Sequence, residues 1–288
     1  MNNDPMRIHL SLVSHTNIGK TTLARTLLSR DIGEVADRAH VTETTDDYVL
    51  ARTPEGCELI LWDTPGFGNS VALAKRLEGR TNPMGWFMAE VWDRMANKSL
   101  WLNQKAIKHV KETSNVVLYL VNATELPDTA PYVSAEMRIL SWIGKPVIVL
   151  LNQMGEPKAP ELEQADVDRW KDAMASYPIV HSVLPMDAFA RCCVQEYALF
   201  DAIAKALPEE LQATMESLRE VWSRQRRAAY NASIQALTTY LEKLANDKEV
   251  AENTSVVDQI KFLGKKLGLF KKDTAHDPIG AAQTALSS

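Results

Sequence analysis

Hydrophobic and polar positions in the first part of the chain follow strand and helix periods in turn. Residues 6–13 alternate and are β-prone, which predicts a strand, and they run directly into a polar loop followed by the helical residues 23–28. Residues 47–52 and 58–62 predict a hairpin, with Thr53-Pro54-Glu55-Gly56 as its turn. The chain therefore begins as strand, loop, helix and hairpin.

Continuous apolar runs recur further along the chain. Those at 115–121, 147–151 and 179–184 predict buried parallel strands, and helical stretches lie near 132–143 and 162–175. Strands that alternate with helices imply a parallel sheet covered on both faces. The predicted fold class is therefore α/β, a three-layer arrangement around a mostly parallel sheet.

Residues 70–114 depart from this alternation. Their helical periodicity predicts two or three helices, more than a simple crossover needs, and they carry a cluster of aromatic side chains. Such aromatics are more often core than surface, although a partner-binding surface is the alternative. The cluster consists of Trp86, Phe87, Trp92 and Trp101.

The C-terminal part is helical and then polar. Residues 209–246 contain no glycine or proline and have apolar positions at helical spacing, which predicts one long helix or two in line. A linker and a short basic helix at 256–272 follow, and 273–288 has the composition of a disordered tail. We predict a main domain over 1–207, a helical extension over 208–272, and this tail.

Composition adds limits on compartment and partners. The 288 residues carry a net charge of -5, which argues weakly against nucleic acid as the main partner. Three cysteines, two of them adjacent, form neither a disulfide framework nor a metal-binding spacing. The chain shows no signal peptide and no apolar run of the ~20 residues that span a bilayer. We expect a cytoplasmic protein.

The segment from Ser14 to Thr21 matches the phosphate-binding pattern G-x-x-x-x-G-K-[ST], with Ser14 in place of the first glycine. Lys20 would reach the β and γ phosphates, and the Thr21 hydroxyl would bind Mg²⁺. The alternative is that Gly-Lys-Thr occurs at a helix start by chance. The predicted strand before the loop argues against this alternative. The backbone N–H groups expected to wrap the phosphates belong to Asn17, Ile18, Gly19, Lys20, Thr21 and Thr22.

Asp63-Thr64-Pro65-Gly66 ends a predicted strand and supplies a second element. In this layout Asp63 holds the magnesium shell through water, and the Gly66 N–H meets the γ-phosphate. An ordinary turn is the alternative. A third element is a threonine of the aperiodic loop 33–46 that closes on Mg²⁺ and the γ-phosphate. Thr42, Thr44 and Thr45 compete for this role, and Thr45, just before the next strand, is our choice.

These motifs resemble the Era-like branch of translation-factor-type P-loop GTPases over roughly residues 6–207. The segments from Val13 to Thr22 and from Asp31 to Val35 are more closely similar to a bacterial family that joins this GTPase domain to a C-terminal domain of unknown function. Its members are usually longer than this chain, so residues 209–288 are expected to begin that second domain.

The resemblance implies a role for two further positions. An asparagine at the position of Asn17 can ligate K⁺ in Era-like proteins, which suggests potassium-stimulated hydrolysis. The alternative is a loop asparagine that tolerates an unusual backbone. Phe67 stands where Ras-like proteins keep a water-orienting glutamine, and an apolar side chain cannot orient water. Hydrolysis is therefore expected to be slow, or to use K⁺ and another group.

The base-recognition motif departs most from the family pattern Asn-Lys-x-Asp. The chain has Asn152-Gln153-Met154-Gly155, which keeps the asparagine but lacks the carboxylate that accepts two guanine hydrogen bonds. Each lost bond costs about 1.5–3 kcal/mol, enough to erode the choice of GTP over ATP. Glu156 could replace it only in a rearranged loop. In Asp187-Ala188-Phe189, the Ala188 N–H could meet a base carbonyl.

Two functions follow as hypotheses. The first is a GTP-binding switch that hydrolyses GTP slowly with Mg²⁺ and moves residues 33–46 and 64–80 between states. The second is a non-hydrolysing nucleotide-binding or scaffold protein with degraded base specificity. The expected partners are a protein that contacts the 70–114 insert or the C-terminal helices and, as the resemblance implies, a second GTPase domain in a nucleotide-dependent dimer. The basic and apolar segment 256–272 is expected to lie on an anionic membrane or, as the alternative, to pack on a downstream segment.

Overall fold

A computed structural model describes residues 5–28, 46–89, 98–156, 158–188 and 193–246. Within these residues six strands form one sheet in the order β2-β3-β1-β4-β5-β6. The strands are β1 (Arg7–Ser14), β2 (Asp46–Arg52), β3 (Glu58–Asp63), β4 (Val116–Asn122), β5 (Val147–Asn152) and β6 (Val180–Pro185). β2 is antiparallel to β3, and the other neighbouring pairs are parallel. The predicted mostly parallel sheet and its N-terminal hairpin are therefore confirmed.

Helices connect and cover these strands. They are α1 (Lys20–Leu28), α2 (Ser70–Leu77), α3 (Pro83–Ala89), α4 (Lys98–Thr113), α5 (Pro131–Ile143), α6 (Pro160–Met174), α7 (Cys193–Ala206) and α8 (Glu209–Asn246). Proline is the first residue of α3, α5 and α6. A backbone N–H at this position has no partner inside the helix, so proline, which lacks an N–H, is tolerated there. Residues 70–113 thus form three helices in the described ranges, and 209–246 forms one long helix.

Two hydrophobic clusters lie on opposite faces of the sheet because successive side chains of a strand point to opposite sides. β4 shows this alternation, with Val117 and Tyr119 in one cluster and Leu118 and Leu120 in the other. The first cluster is covered by α2 to α6, and the second by α1, α7 and the start of α8. This arrangement confirms the predicted three-layer fold class.

The described aromatic residues of the insert lie in or against the first cluster. Phe87 is fully buried, and Trp86 and Trp101 pack against the cluster while partly buried. These three residues therefore contribute to the core and do not form an open surface. Trp92, the fourth aromatic residue of the predicted cluster, lies outside the described residues.

Internal contacts divide the chain into two compact units, 1–227 and 228–288. In the first unit, Met215, Leu218 and Trp222 of α8 are buried in the second hydrophobic cluster. The described part of the second unit is the end of α8, on which four large apolar side chains are exposed. These are Tyr230, Ile234, Leu237 and Leu241. The domain boundary predicted after residue 207 stays a prediction, and the segments 256–272 and 273–288 lie outside the described residues.

None of the helices in the described ranges combines the length and the hydropathy that crossing a bilayer requires.

Candidate functional site

The predicted phosphate loop lies at the carboxyl end of β1. This strand pairs with β3 on one side and with β4 on the other, so the order of the sheet reverses at β1. In open parallel sheets such a reversal leaves a crevice at the carboxyl ends of the strands, where ligands bind. Ser14 ends β1, and α1 begins at Lys20. The Gly19 carbonyl accepts the Leu23 N–H at 2.9 Å and starts the helical hydrogen bonds.

Lys20 lies inside this loop rather than in solvent. Its side chain is buried at 7% exposure, and Nζ donates to Ser14 Oγ at 3.1 Å. Burial lowers the pKa of Lys20, and the nearby Asp63 carboxylate opposes that shift. Ser14 therefore supplies a hydroxyl acceptor that the usual glycine lacks, so this departure from the pattern positions the ammonium group of Lys20.

Asp63 and Thr21 meet where the sequence predicts the magnesium site. The Thr21 hydroxyl donates to Asp63 Oδ2 at 2.5 Å, and the Asp63 side chain is 2% exposed. Its other oxygen, Oδ1, is buried and has no hydrogen-bond partner among the described residues. Burial raises the pKa of Asp63, and Lys20 and the Thr21 hydrogen bond oppose the rise. A hard cation with oxygen ligands fits this pair, because it would satisfy the remaining oxygen.

The segment after Asp63 is fastened to the phosphate loop. Thr64 Oγ1 donates to the Leu12 carbonyl at 2.6 Å, and the Phe67 N–H donates to the Ser14 carbonyl at 2.9 Å. A side chain on Gly66 would begin 3.1 Å from Lys20 Nζ, so the Gly66 backbone lies against the end of the Lys20 side chain. Phe67 itself is 1% exposed and packs in the first hydrophobic cluster, so its ring is a core side chain.

An asparagine of the insert holds the next residue. The Gly68 N–H donates to Asn103 Oδ1 at 3.0 Å, and Asn103 Nδ2 donates to the Gly68 carbonyl at 2.5 Å. Asn103 lies on α4 and is fully buried. The insert therefore contacts the backbone that follows the Asp63 motif, which the sequence pattern did not predict.

Asn152 connects the predicted base site to the phosphate loop. Its Nδ2 donates to the Ile18 carbonyl at 2.6 Å, and its Oδ1 accepts the Ala188 N–H at 2.7 Å. The Ala188 N–H, for which we expected a base carbonyl as partner, thus binds this buried side chain. The Ala188 carbonyl accepts a hydrogen bond from Thr26 of α1 at 2.6 Å, so the base loop and the first helix are also joined.

The other predicted base residues adopt unusual backbone angles. Gln153 has a φ of 55° and Gly155 a φ of 80°. Between them, the Met154 N–H donates to Asp187 Oδ2 at 3.1 Å. This carboxylate was not among the predicted site residues, although its place next to Ala188 was visible in the sequence.

The remaining predicted residues fall at the edge of the described site. Asn17 is exposed and has a φ of 64°, a left-handed conformation that asparagine tolerates better than most residues. Ile18 is buried, and Thr22 lies in the first turn of α1. The loop 33–45, with Thr42, Thr44 and Thr45, lies outside the described residues, as does Phe189.

A buried carboxylate that the sequence pattern did not indicate lies behind the phosphate loop. Glu136 of α5 is fully buried and accepts hydrogen bonds from His15 Nδ1 at 2.8 Å and from the Tyr119 hydroxyl at 2.9 Å. Burial raises the pKa of Glu136, and His15 opposes the rise. The His15 ring also stacks on Tyr132, with ring centroids 4.5 Å apart. A histidine in the second position of the loop was the only local signal of this arrangement.

Comparison with known proteins agrees with this geometry. Residues 9–153 match the family described as 50S ribosome-binding GTPase. This match includes the phosphate loop, the Asp63 motif and Asn152, and covers just over half of the chain.

Two solved structures of Era have a similar fold. One is a single-substitution variant of Aquifex aeolicus Era bound to GDP·AlF4-, with 19% identity and a TM-score of 0.52, over 71% of this chain and 58% of that chain. The other is Era in complex with MgGDPNP and nucleotides 1506–1542 of 16S ribosomal RNA, with 19% identity and a TM-score of 0.52, over 72% and 58%. At this identity the likeness shows the fold, and the match spans 58% of the length of each Era chain.

Proposed function

This chain belongs to the family of 50S ribosome-binding GTPases, and from that premise we propose that it is a slow, Mg²⁺-dependent GTP hydrolase that acts as a conformational switch. The observation that carries the proposal is the contact of Thr21 with the buried Asp63, beside the buried Lys20. Two oxygen ligands and one cation in a crevice at the end of β1 suit a nucleotide phosphate group and its metal ion.

Each of these side chains has a role in the proposed reaction. Thr21 and Asp63 would hold Mg²⁺, which neutralises charge on the β and γ phosphates when it is bound. Lys20 binds the same phosphates, and its hydrogen bond to Ser14 keeps its ammonium group inside the loop before the nucleotide arrives. The Gly66 backbone lies beside Lys20 and is placed to donate its N–H to the γ-phosphate.

The low rate that we propose is supported by Phe67. Its side chain is packed in the core, so it cannot orient an attacking water molecule. We propose that K⁺ at Asn17 compensates in part, because positive charge near the transferred phosphoryl group stabilises its transition state. The exposed position of Asn17 leaves its side chain open to an ion from solvent.

The switch proposal is supported by the contact between Gly68 and Asn103. A change at Gly66 on γ-phosphate loss would pull on Gly68, two residues away, and therefore on α4 of the insert. We propose that a protein partner recognises this conformational change by binding the insert, residues 70–114, or the C-terminal helices. Contact of residues 256–272 with an anionic membrane and a nucleotide-dependent dimer are further proposals from the sequence.

A phosphate-release assay tests the proposed activity. The full chain is incubated with Mg²⁺ and GTP or ATP in KCl and, separately, in NaCl. We expect slow GTP turnover that is faster in KCl, and loss of turnover in Lys20→Ala, whose melting temperature is checked to confirm folding. Asn17→Ala should abolish the difference between the salts while leaving basal turnover in NaCl.

The alternative function is a scaffold that does not hydrolyse nucleotide. The left-handed Gly155, which carries no carboxylate, and the occupied Ala188 N–H favour this alternative. Absence of turnover in every salt, together with no heat of GDP or GTP binding by titration calorimetry, would establish it and reject the enzyme.

A further inference from the structure

The buried carboxylate of Glu136 has no part in the proposed phosphate and metal chemistry. It is fully buried on α5 and accepts hydrogen bonds from His15 Nδ1 at 2.8 Å and from the Tyr119 hydroxyl at 2.9 Å. Burying a carboxylate costs free energy that these bonds only offset, and an apolar side chain of similar volume would avoid this cost. What the carboxylate adds is a defined geometry for the groups that bind it.

His15, the first of these groups, joins the phosphate loop to the segment that follows β3. Its backbone pairs with Phe67 as an isolated parallel bridge. The neighbours of this pair, Thr16 and Gly66, lie so close together that a Cβ on Gly66 would be 3.2 Å from Thr16 Cα. The position of the His15 backbone therefore determines where the Gly66 N–H lies relative to the phosphate loop.

Ser70 brings the other end of the same segment to this carboxylate. It is the first residue of α2 and is fully buried. Its hydroxyl lies beside Glu136, although it makes no hydrogen bond of ordinary geometry to the described residues. Burial raises the pKa of Glu136, and the donor groups around it, the Ser70 hydroxyl among them, oppose the rise. The segment from Gly66 to Ser70 is thus flanked by two groups, His15 and Ser70, that share one buried carboxylate.

We propose that Glu136 is a positioning residue for the γ-phosphate: by holding His15, it fixes the Gly66 N–H at the place where that phosphate binds. This inference rests on the proposed GTP-binding function, in which the Gly66 N–H donates to the γ-phosphate. Glu136 acts through His15 and does not touch the nucleotide, because it is fully buried behind the phosphate loop. GDP has no γ-phosphate, so its binding does not require this position of Gly66.

The competing role for Glu136 is purely structural, as a polar group that only stabilises the packing of α5 on the sheet. The two roles have different effects on nucleotide binding. Loss of packing lowers the free energy of unfolding and changes the affinities for GDP and for a GTP analogue by the same factor. Loss of positioning weakens binding of the analogue and leaves the affinity for GDP unchanged.

The test measures the affinity of the full chain for GDP and for GDPNP, a GTP analogue that resists hydrolysis, by titration calorimetry with Mg²⁺. In His15→Ala we expect GDPNP to bind about 10-fold more weakly, the effect of one lost hydrogen bond to a charged group, and the affinity for GDP to change by less than about 2-fold. Glu136→Gln should act in the same direction, because a neutral amide holds His15 less strongly than a carboxylate does. His15→Asn, whose amide can donate from near the position of Nδ1, should restore most of the affinity for GDPNP.

Arg138→Gln is the matched control on the same helix. Arg138 forms an ion pair with Glu78, just after the end of α2, and both side chains are exposed. The substitution therefore removes a contact between α5 and the end of α2 without touching His15. Because exposed ion pairs contribute little to stability, this variant should keep the wild-type affinities for GDP and GDPNP.

Two results in His15→Ala would overturn the inference and leave the proposed function standing: equal weakening of GDP and GDPNP, and wild-type affinity for both. Weaker GDPNP binding in Arg138→Gln as well would assign the effect to the general packing of α5 and would also overturn the inference. A wild type that binds no guanine nucleotide would reject the proposed function itself. If His15→Ala does not fold, Glu136→Gln, which keeps the side-chain volume, gives the same comparison.

Discussion

The pair of His15 and Glu136 behind the phosphate loop leads to a quantitative prediction. In His15→Ala the buried carboxylate keeps the Tyr119 hydroxyl at 2.9 Å but loses the hydrogen bond from His15 Nδ1 at 2.8 Å. A hydrogen bond to a charged group contributes about 1.5–3 kcal/mol, and we expect the lower part of that range because water can enter where the His15 side chain is 30% exposed. Loss of the Tyr132 stacking adds about 0.5–1 kcal/mol.

We therefore expect His15→Ala to lower the free energy of unfolding by about 2–3 kcal/mol. Urea denaturation followed by tryptophan fluorescence measures this value. The double-mutant cycle adds Glu136→Gln, which keeps an acceptor for Tyr119, and the combined variant. Because the two side chains contact each other, the coupling free energy should be about 1.5 kcal/mol. His15→Gln, which keeps a donor, should recover part of the loss.

The pH dependence has a defined sign. Burial raises the pKa of Glu136 above its ordinary value, and without His15 it should rise further. The folded variant then holds a proton that the unfolded chain releases above about pH 4.5, so its stability should fall as the pH rises from there. The deficit of His15→Ala should thus be smaller near pH 5 than at pH 8. A coupling below about 0.5 kcal/mol, or a deficit that is independent of pH, would refute the reasoning.

Three further predictions concern two buried asparagines and one half-buried histidine. Asn103→Ala removes the hydrogen-bond partner of the buried Gly68 N–H and carbonyl. We expect the free energy of unfolding, measured in urea, to fall by about 2–6 kcal/mol, and amide exchange at Gly68 to become faster. Asn152→Ala should cost a similar amount, about 2–6 kcal/mol, and weaken nucleotide binding, whereas equal stability would contradict the observed bonds to Ile18 and Ala188. Burial and His9 lower the pKa of His109 to about 4. In the unfolded chain His109 therefore becomes protonated below about pH 6.5, whereas in the folded protein it stays neutral until about pH 4. The free energy of unfolding therefore falls as the pH drops towards 4. His109→Phe should flatten that fall in acid titrations of stability, by less than about 1.4 kcal/mol per pH unit at this half-buried site.

The order of strands and helices could be read from the sequence because it depends on local periodicity. Each apolar run at 115–121, 147–151 and 179–184 became a strand, since such runs can be buried only when both faces of the sheet are covered. Helix α7 was not predicted individually, because its apolar residues are not confined to one face and give no clear helical stripe. The long helix α8 followed from the absence of glycine and proline.

The phosphate-binding part of the site could also be predicted from short segments of the sequence. The segment from Ser14 to Thr21 and the Asp63 motif each place their chemistry within a few residues of a strand end, so their spacing alone predicts a shared crevice. The structure brings Thr21 and Asp63 into contact, 42 positions apart, as the parallel pairing of β1 and β3 requires.

The fold class, the phosphate-binding loop and the departure at Gly155 could be predicted before folding is considered, because each depends on residues that are neighbours in the chain. Contacts between distant segments became known only from the folded structure: Glu136 with His15, 121 positions apart, Asn103 with the Gly68 backbone, and Asp187 with the Met154 N–H. The physical reason is that a buried polar group must find a partner wherever the packed elements place one, and that placement depends on strand order and helix packing rather than on local pattern.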